Sequence, residues 1–363
     1  MKEPFVPQSL PLQSLNWVEF INLIGRANAE LARYDGILQG IINPSVMLSP
    51  LTTKEAVVSS KIEGTQASLE EVLAFEAAPD KNNEKFNDIK EILNYRNAMK
   101  FAVNWLDSKP ITLNLVKHIH EILLDSVRGR DKGRGRFRVV QNWIGTPGAK
   151  MEEATYVPPS PMFLMEYLSN FEKYIHFDEK DPLVQLAILH AQFEIIHPFL
   201  DGNGRLGRIL IPLFLFEKKI LNLPMFYISE YLEAHREEYY ARLNDVTKGS
   251  QWEKWIEFFL GAIINQAKVN CQKAKGILGL YEQKKEKLAE VTHSQYVIRV
   301  LDTLFAGPIF SSTSFVQRSK IPRRSALRLL KQLKDEKIVF TLYPSSGRRP
   351  EMLVFKKLMG IVG

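Results

Sequence analysis

His197-Pro-Phe-Leu-Asp-Gly-Asn-Gly-Arg-Leu-Gly-Arg208 falls between two helix-patterned segments, 183–196 and 205–221. Pro198 disfavours the helical conformation for the residue before it, so the first helix is expected to stop at His197 and leave the imidazole at a loop mouth. The Gly202-Asn203-Gly204 run can take positive φ and aim successive backbone N–H groups at one point, at the positive end of the second helix. Such a nest binds anions. Arg205 and Arg208, three apart, project on one side of that helix and suit further phosphate oxygens. Asp201 is placed to hold Mg²⁺ through one carboxylate oxygen. His197, near neutral in ordinary buffers, can take a proton from an attacking hydroxyl. A base, a carboxylate for a metal, an amide nest and two arginines are what phosphoryl or nucleotidyl transfer requires, since that chemistry rests on positioning and charge neutralisation.

Gly202, Gly204 and Gly207 also satisfy G-x-G-x-x-G. A dinucleotide fold needs a strand before those glycines and an acid about 20 residues after them. The residues before the loop have helical character and the segment after it, Ile-Leu-Ile-Pro-Leu-Phe-Leu-Phe-Glu-Lys-Lys-Ile, offers no matching unit, so the dinucleotide fold does not fit.

Outward from the loop the chain is patterned mostly for helix. Segments 16–38, 53–63, 88–106, 114–125, 161–175 and 234–247 carry helical periodicity, and so does a run from Trp252 into a charged stretch at 273–290. Gly64 reads as the cap that ends 53–63. A Gly/Arg-rich loop precedes 137–144, which alternates with β-type residues, and after a turn-like stretch comes 154–157, closed by Pro158 and Pro159; together these predict a β-hairpin. Pro212 removes one helical hydrogen bond after the loop, and a local loosening is expected there.

The chain has 363 residues, 45% hydrophobic and 25% charged, which suits two or three packed units and excludes wholesale disorder. One cysteine, Cys271, excludes an internal disulfide and a four-thiolate metal site. The start lacks the apolar core of a signal peptide, no apolar run reaches the ~20 residues of a membrane span, and the expectation is a cytoplasmic protein with no membrane partner. Charge is uneven: 291–363 holds 13 Lys/Arg against 4 acids, a balance of +9 on a chain of +7. The tail predicts a helix at 294–305, a short helix at 312–318, a longer one at 323–335 with Leu327, Leu330 and Leu333 on its apolar side, and a hairpin of 338–343 and 352–355. That order resembles a winged helix-turn-helix, with Arg323, Arg324 and Arg328 on the recognition helix and Arg348 and Arg349 at the wing tip. Winged helices also dock proteins or form dimers, so DNA, a protein and a second copy (a homodimer) all stand as partners. The boundaries expected are 1–105 for an N-terminal helical region, 106–270 for the core, 271–290 for a helical connector and 291–363 for the winged helix.

The loop matches H-x-F-x-[D/E]-G-N-G-R-x-x-R at every specified position and resembles the Fic family signature. The resemblance implies a mainly α protein whose Fic-type helical core carries a small β-hairpin flap. It implies that His197 is the base and Asp201 holds Mg²⁺ (or Mn²⁺), that Gly202, Asn203 and Gly204 cradle phosphates, and that Arg205 and Arg208 bind the phosphate tail, with Gly207 in the same nucleotide-binding loop and Phe199 as its core anchor. Members transfer AMP from ATP to a Ser, Thr or Tyr hydroxyl of a target protein. The 137–157 hairpin is similar to the flap that registers target segments by strand addition. Ser59-Ser-Lys-Ile-Glu63-Gly64 matches the inhibitory motif [S/T]-x-x-x-E-[G/N], and the resemblance implies that Glu63 pairs with Arg208 while Ser59 steadies the loop. The same family loop supports phosphate or phosphocholine transfer and AMP removal. A nucleotide-sensing DNA-binding regulator is the non-enzymatic alternative, against which the presence of both His197 and Asp201 argues.

Of the softer candidates, Tyr240 can stack on adenine, although adjacent tyrosines such as Tyr239 and Tyr240 divide more often into one buried and one surface residue. His190 reads as a hydrogen-bonded core residue. His118 and His120 do not face one another on a helix and lack an acid at metal-ligand spacing.

Overall fold

The computed structural model describes residues 2–80, 82–125, 132–146, 148, 150–345 and 350–363. Two units emerge, and neither is continuous in sequence: Met1–Asp35 with Leu93–Lys268, and Gly36–Ile92 with Val269–Gly363.

At the centre of the first unit lies the helix Pro182–Ile196. Asp181 caps it by accepting from the Leu183 and Val184 N–H groups, and Pro182 opens it where a missing N–H costs nothing. Nearly every side chain is buried, including Leu183, Leu186, Ile188 and Phe193. A helix apolar on all sides must be enclosed by others, and Leu164–Ile175, Asn203–Glu217 and Arg236–Gly249 pack on it. The Asn203–Glu217 helix is almost as buried and continues through Pro212. Leu113–Leu123, capped by Thr112, turns Leu115, Val116, Ile119 and His120 inward against it.

The predicted 137–157 hairpin is not formed as two strands: its arms meet at a single antiparallel bridge, Ile144 with Tyr156. The cause lies in where the first arm spends its polar groups. Arg138 N–H donates to the Pro198 carbonyl and Asn142 Nδ2 to that of Phe199, while Pro158 and Pro159 have no N–H to return.

In the second unit, Val297–Ala306, Ser312–Ser319 and Arg323–Asp335 form the helical part of the tail. Its three strands are β1 (Ile309–Ser311), β2 (Phe340–Tyr343) and β3 (Met352–Val354), antiparallel in the order β1-β3-β2, with Val354 opposite both Ile309 and Phe340. On Arg323–Asp335 the buried side is Ala326, Leu329, Leu330 and Leu333. Leu327, expected on that side, is 41% exposed, because its spacing from Leu330 and Leu333 runs round to the edge of the buried stripe. Arg323, Arg324, Arg328 and Lys331 are exposed. Arg348 and Arg349 lie outside the described residues.

The tail does not pack alone. Ser49–Ile62 and the short helix before it lie on Val297–Ala306, where Ser49 Oγ donates to the Ala306 carbonyl at 3.1 Å. Leu69–Ala77 lies against β1. That last helix starts in a capping box, Ser68 with Glu71, spaced three residues apart as such a cap requires. The stretch 271–290 is the interior of one continuous helix, Trp252–Thr292.

Candidate active site

His197 ends its helix in the left-handed region, φ 47°, ψ 61°, with its N–H donating to the Phe193 carbonyl. Pro198 does exclude the helical conformation, but the residue goes to positive φ rather than to the extended region. A non-glycine residue held there is strained, and such strain persists only where neighbours over-determine it. The neighbours are visible. Arg138, 3% exposed, donates from Nε to the His197 carbonyl at 3.0 Å and from Nη2 to those of Pro159 at 2.5 Å and Ile196 at 3.3 Å. Its cation therefore sits on the negative end of the Pro182–Ile196 helix. Burial pushes the guanidinium down to about 10, still charged at neutral pH. The sequence offered no signal for this residue beyond one Arg among β-type neighbours.

The His197 ring lies 3.3 Å from the Glu194 carbonyl through Nδ1. A carbonyl only accepts, so the network assigns the proton to Nδ1 and makes Nε2 the unprotonated, basic nitrogen of the neutral ring.

Beyond His197, Phe199 is fully buried. Asn203 brackets it, with Oδ1 accepting from the Phe199 N–H and Nδ2 donating to its carbonyl, both at 2.9 Å. The Asn203 side chain is thereby spent on the loop itself, and what it can offer an anion is its backbone N–H. Of the glycine run, only Gly202 takes positive φ, 76°. The helix begins at Asn203, two residues earlier than its periodicity suggested, and Gly204 is helical. The first-turn N–H groups have no acceptor within the helix, which makes this end an anion site with the helix dipole behind it.

Asp201 Oδ1 accepts from the Gly202 N–H at 2.6 Å and lies 3.4 Å from Arg205 Nη2. Its side chain remains 43% exposed. Among the described residues no three His, Cys, Asp or Glu side chains gather into a cage. A single accessible carboxylate fits an ion that takes its remaining ligands from substrate and water, as Mg²⁺ does. Arg205 and Arg208 are 4% and 1% exposed, so both cations are drawn out of water beside the loop.

Gly207 faces the preceding helix: a Cβ there would meet Glu194 Oε1 at 2.5 Å and Phe193 Cδ1 at 3.3 Å. A side chain there would displace the Glu194 carboxylate and press on the Phe193 ring. Tyr239 is buried with its hydroxyl 2.9 Å from His190 Nε2, whereas Tyr240 is 40% exposed with the Arg236 guanidinium over its ring. Ser59, Glu63 and Gly64 belong to the second unit. Ser59 is fully buried and Glu63 exposed at the helix end, where Gly64, φ 99°, and Thr65 return their N–H groups to the Lys61 and Ser60 carbonyls. This closes the helix as a Schellman turn.

A mainly helical core with a left-handed histidine, an amide-rich helix start and two buried arginines defines a Fic-fold protein. Residues 21–104 match the Fic/DOC family N-terminal model and residues 110–215 the Fic/DOC family model. Together these cover more than half of the chain, and it belongs to the Fic/DOC family. It is 33% identical over 102 residues to a probable protein adenylyltransferase of Aquifex aeolicus, an alignment covering 28% of this chain and 32% of that one. It is 30% identical over 199 residues to the protein adenylyltransferase Fic of Culex quinquefasciatus, covering 52% and 35%. The chain thus spans about a third of the length of the curated relatives it matches. Among solved structures, a Fic family protein from Desulfovibrio desulfuricans superposes with a TM-score of 0.61 at 21% identity over 98% of both chains. Fic-1 of Caenorhabditis elegans gives 0.55 at 22% identity over 70% and 71%.

Proposed function

We propose that the protein transfers AMP from ATP to a hydroxyl of a target protein. The observation that carries this reading is the pairing, on one loop, of an imidazole whose Nδ1 is committed to the Glu194 carbonyl with a helix start flanked by two buried arginines. His197 Nε2 takes the proton as the hydroxyl oxygen attacks the α-phosphorus; the bond to the bridging oxygen of the β-phosphate breaks and pyrophosphate leaves. The first-turn N–H groups of Asn203–Glu217, with Arg205 and Arg208, hold the phosphate oxygens in line, which is most of what this chemistry asks. Asp201 holds Mg²⁺ or Mn²⁺, which supplies charge neutralisation on the phosphates when bound. Glu63 acts as a restraint on transfer, a reading supported by its motif and by its position at an exposed helix end. The tail is a winged helix-turn-helix that meets DNA, a reading supported by the exposed row Arg323, Arg324, Arg328 and Lys331.

The test is incubation with ATP labelled on the α- or the γ-phosphate in the presence of lysate proteins. Protein-bound label is expected from the α position alone, and His197→Ala should lower it by roughly 10²–10⁴ while leaving ATP binding in place. Label from the γ position would replace AMP transfer with phosphate transfer, and unchanged turnover in His197→Ala would remove the base.

A further inference from the structure

His120 stands about 80 residues before the loop's acid and on another helix, and the structure gives its ring a complete set of partners. The side chain is fully buried. One face lies flat on Phe199, centroids 3.7 Å apart and planes 13° from parallel. Nδ1 accepts from the Gly135 N–H at 3.0 Å, so it carries no proton. The neutral ring's one proton is then on Nε2, which donates to the Asp201 main-chain carbonyl at 3.0 Å. Gly135 reaches this place at φ 69°, which glycine adopts without strain, and a Cβ on it would press on Glu121 Cβ at 3.2 Å.

The Asp201 carbonyl matters because of what lies across its peptide. In a trans peptide the C=O and the following N–H point in opposite directions. With the carbonyl fixed on His120, the Gly202 N–H must point the other way, where Asp201 Oδ1 receives it at 2.6 Å. If the 201–202 peptide turned over, the carboxylate would lose that donor and the amides that follow at the helix start would lose their common direction. Asn203 secures the loop at Phe199, two residues before Asp201, and neither of its bonds fixes this peptide.

We propose that His120 is a positioning residue that sets the orientation of the Asp201–Gly202 peptide, and with it both the Asp201 carboxylate and the first amides of the anion site. This rests on the reading of the loop as a nucleotide site, but its test does not depend on transfer. Glutamine at 120 keeps a donor near the Nε2 position; asparagine keeps only an acceptor near the Nδ1 position. In hydrogen exchange of the full-length protein, His120→Asn is expected to speed exchange of the Gly202 amide at least about tenfold, and His120→Gln to restore it most of the way. AMP incorporation should follow the same order, with a loss of roughly 10–100-fold in the asparagine variant, the range seen when a hydrogen-bonding support behind a functional carboxylate is removed. Equal exchange at Gly202 in the two variants, or wild-type exchange there in His120→Asn, would overturn the assignment. A measurement on the unaltered protein guards against variants that do not fold. With ¹⁵N-histidine labelling, His120 should appear as the Nε2–H tautomer alone, and an Nδ1–H signal would refute the bond to Asp201. A protein that exchanges as expected but incorporates no AMP would leave His120 in place and remove the proposed transfer.

Discussion

Mild acid should weaken this fold through His190. Its ring is almost fully enclosed, stacked parallel to Trp255 at 6.0 Å and tilted against Phe259 at 5.5 Å, with Nε2 on the Tyr239 hydroxyl. Burial, helped by the nearby Arg208 cation, pushes the imidazole from the usual 6.5 down to about 3, while the Gly207 backbone acts weakly in the opposite direction. Because the folded value is depressed, the unfolded chain takes up the proton first. His190 therefore contributes stability that is complete above pH 6.5 and is lost as the pH falls towards the folded value. At pH 5 the unfolded ring is 1.5 units below its midpoint, so the loss is about 2 kcal/mol, and that figure needs only a folded value below 5. Against a total of roughly 5–15 kcal/mol this is a large fraction. His190→Phe keeps the ring volume and gives up the Tyr239 bond, a cost of about 1–2 kcal/mol that does not vary between these pH values. Urea unfolding of both proteins at pH 7 and pH 5 separates the two effects, since carboxylates common to both cancel. The wild type should lose about 2 kcal/mol more than the variant over that interval. Equal losses would show that His190 is readily protonated in the fold and that its enclosure carries no electrostatic consequence.

Glu63→Gly should raise AMP incorporation at least about fivefold, the low end of a typical coupling between sites, whereas Arg208→Ala should not, since it also removes a cation from the phosphates; labelled ATP reads both. Replacing Arg323, Arg324 and Arg328 together by alanine should reduce the slope of log affinity for duplex DNA against log salt by about 0.9 for each phosphate no longer neutralised, with AMP incorporation retained; an unchanged slope would place any DNA binding elsewhere. Arg138→Met should destabilise the fold by about 3 kcal/mol in urea, because several buried carbonyls lose one charged donor, and Arg138→Lys should recover only part of this because an ammonium cannot reproduce the planar fork.

Much of the His197–Arg208 loop follows from neighbours along the chain alone. Pro198 excludes helix at His197, Gly202 supplies the positive φ, and Arg205 and Arg208 share one side because three residues nearly complete a turn. The Arg323–Asp335 helix begins and ends where its periodicity puts it, and Gly64 closes Ser49–Ile62 through bonds spanning no more than five residues. The segment 137–144 shows where such reasoning stops. Its alternation predicts a strand partner at 154–157, but its donors reach instead to Pro198 and Phe199, about 60 residues away, and only the folded core brings those carbonyls within range. The same holds for His120, which with His118 fits no motif in the sequence and whose ring joins Gly135 to Asp201, and for Arg138, whose guanidinium gathers carbonyls from Pro159, Ile196 and His197. The candidate site residues announce themselves through local spacing, since they stand on one short loop. The residues that hold that loop still are chosen by burial, where every polar group must find a partner from whichever segment the packing delivers.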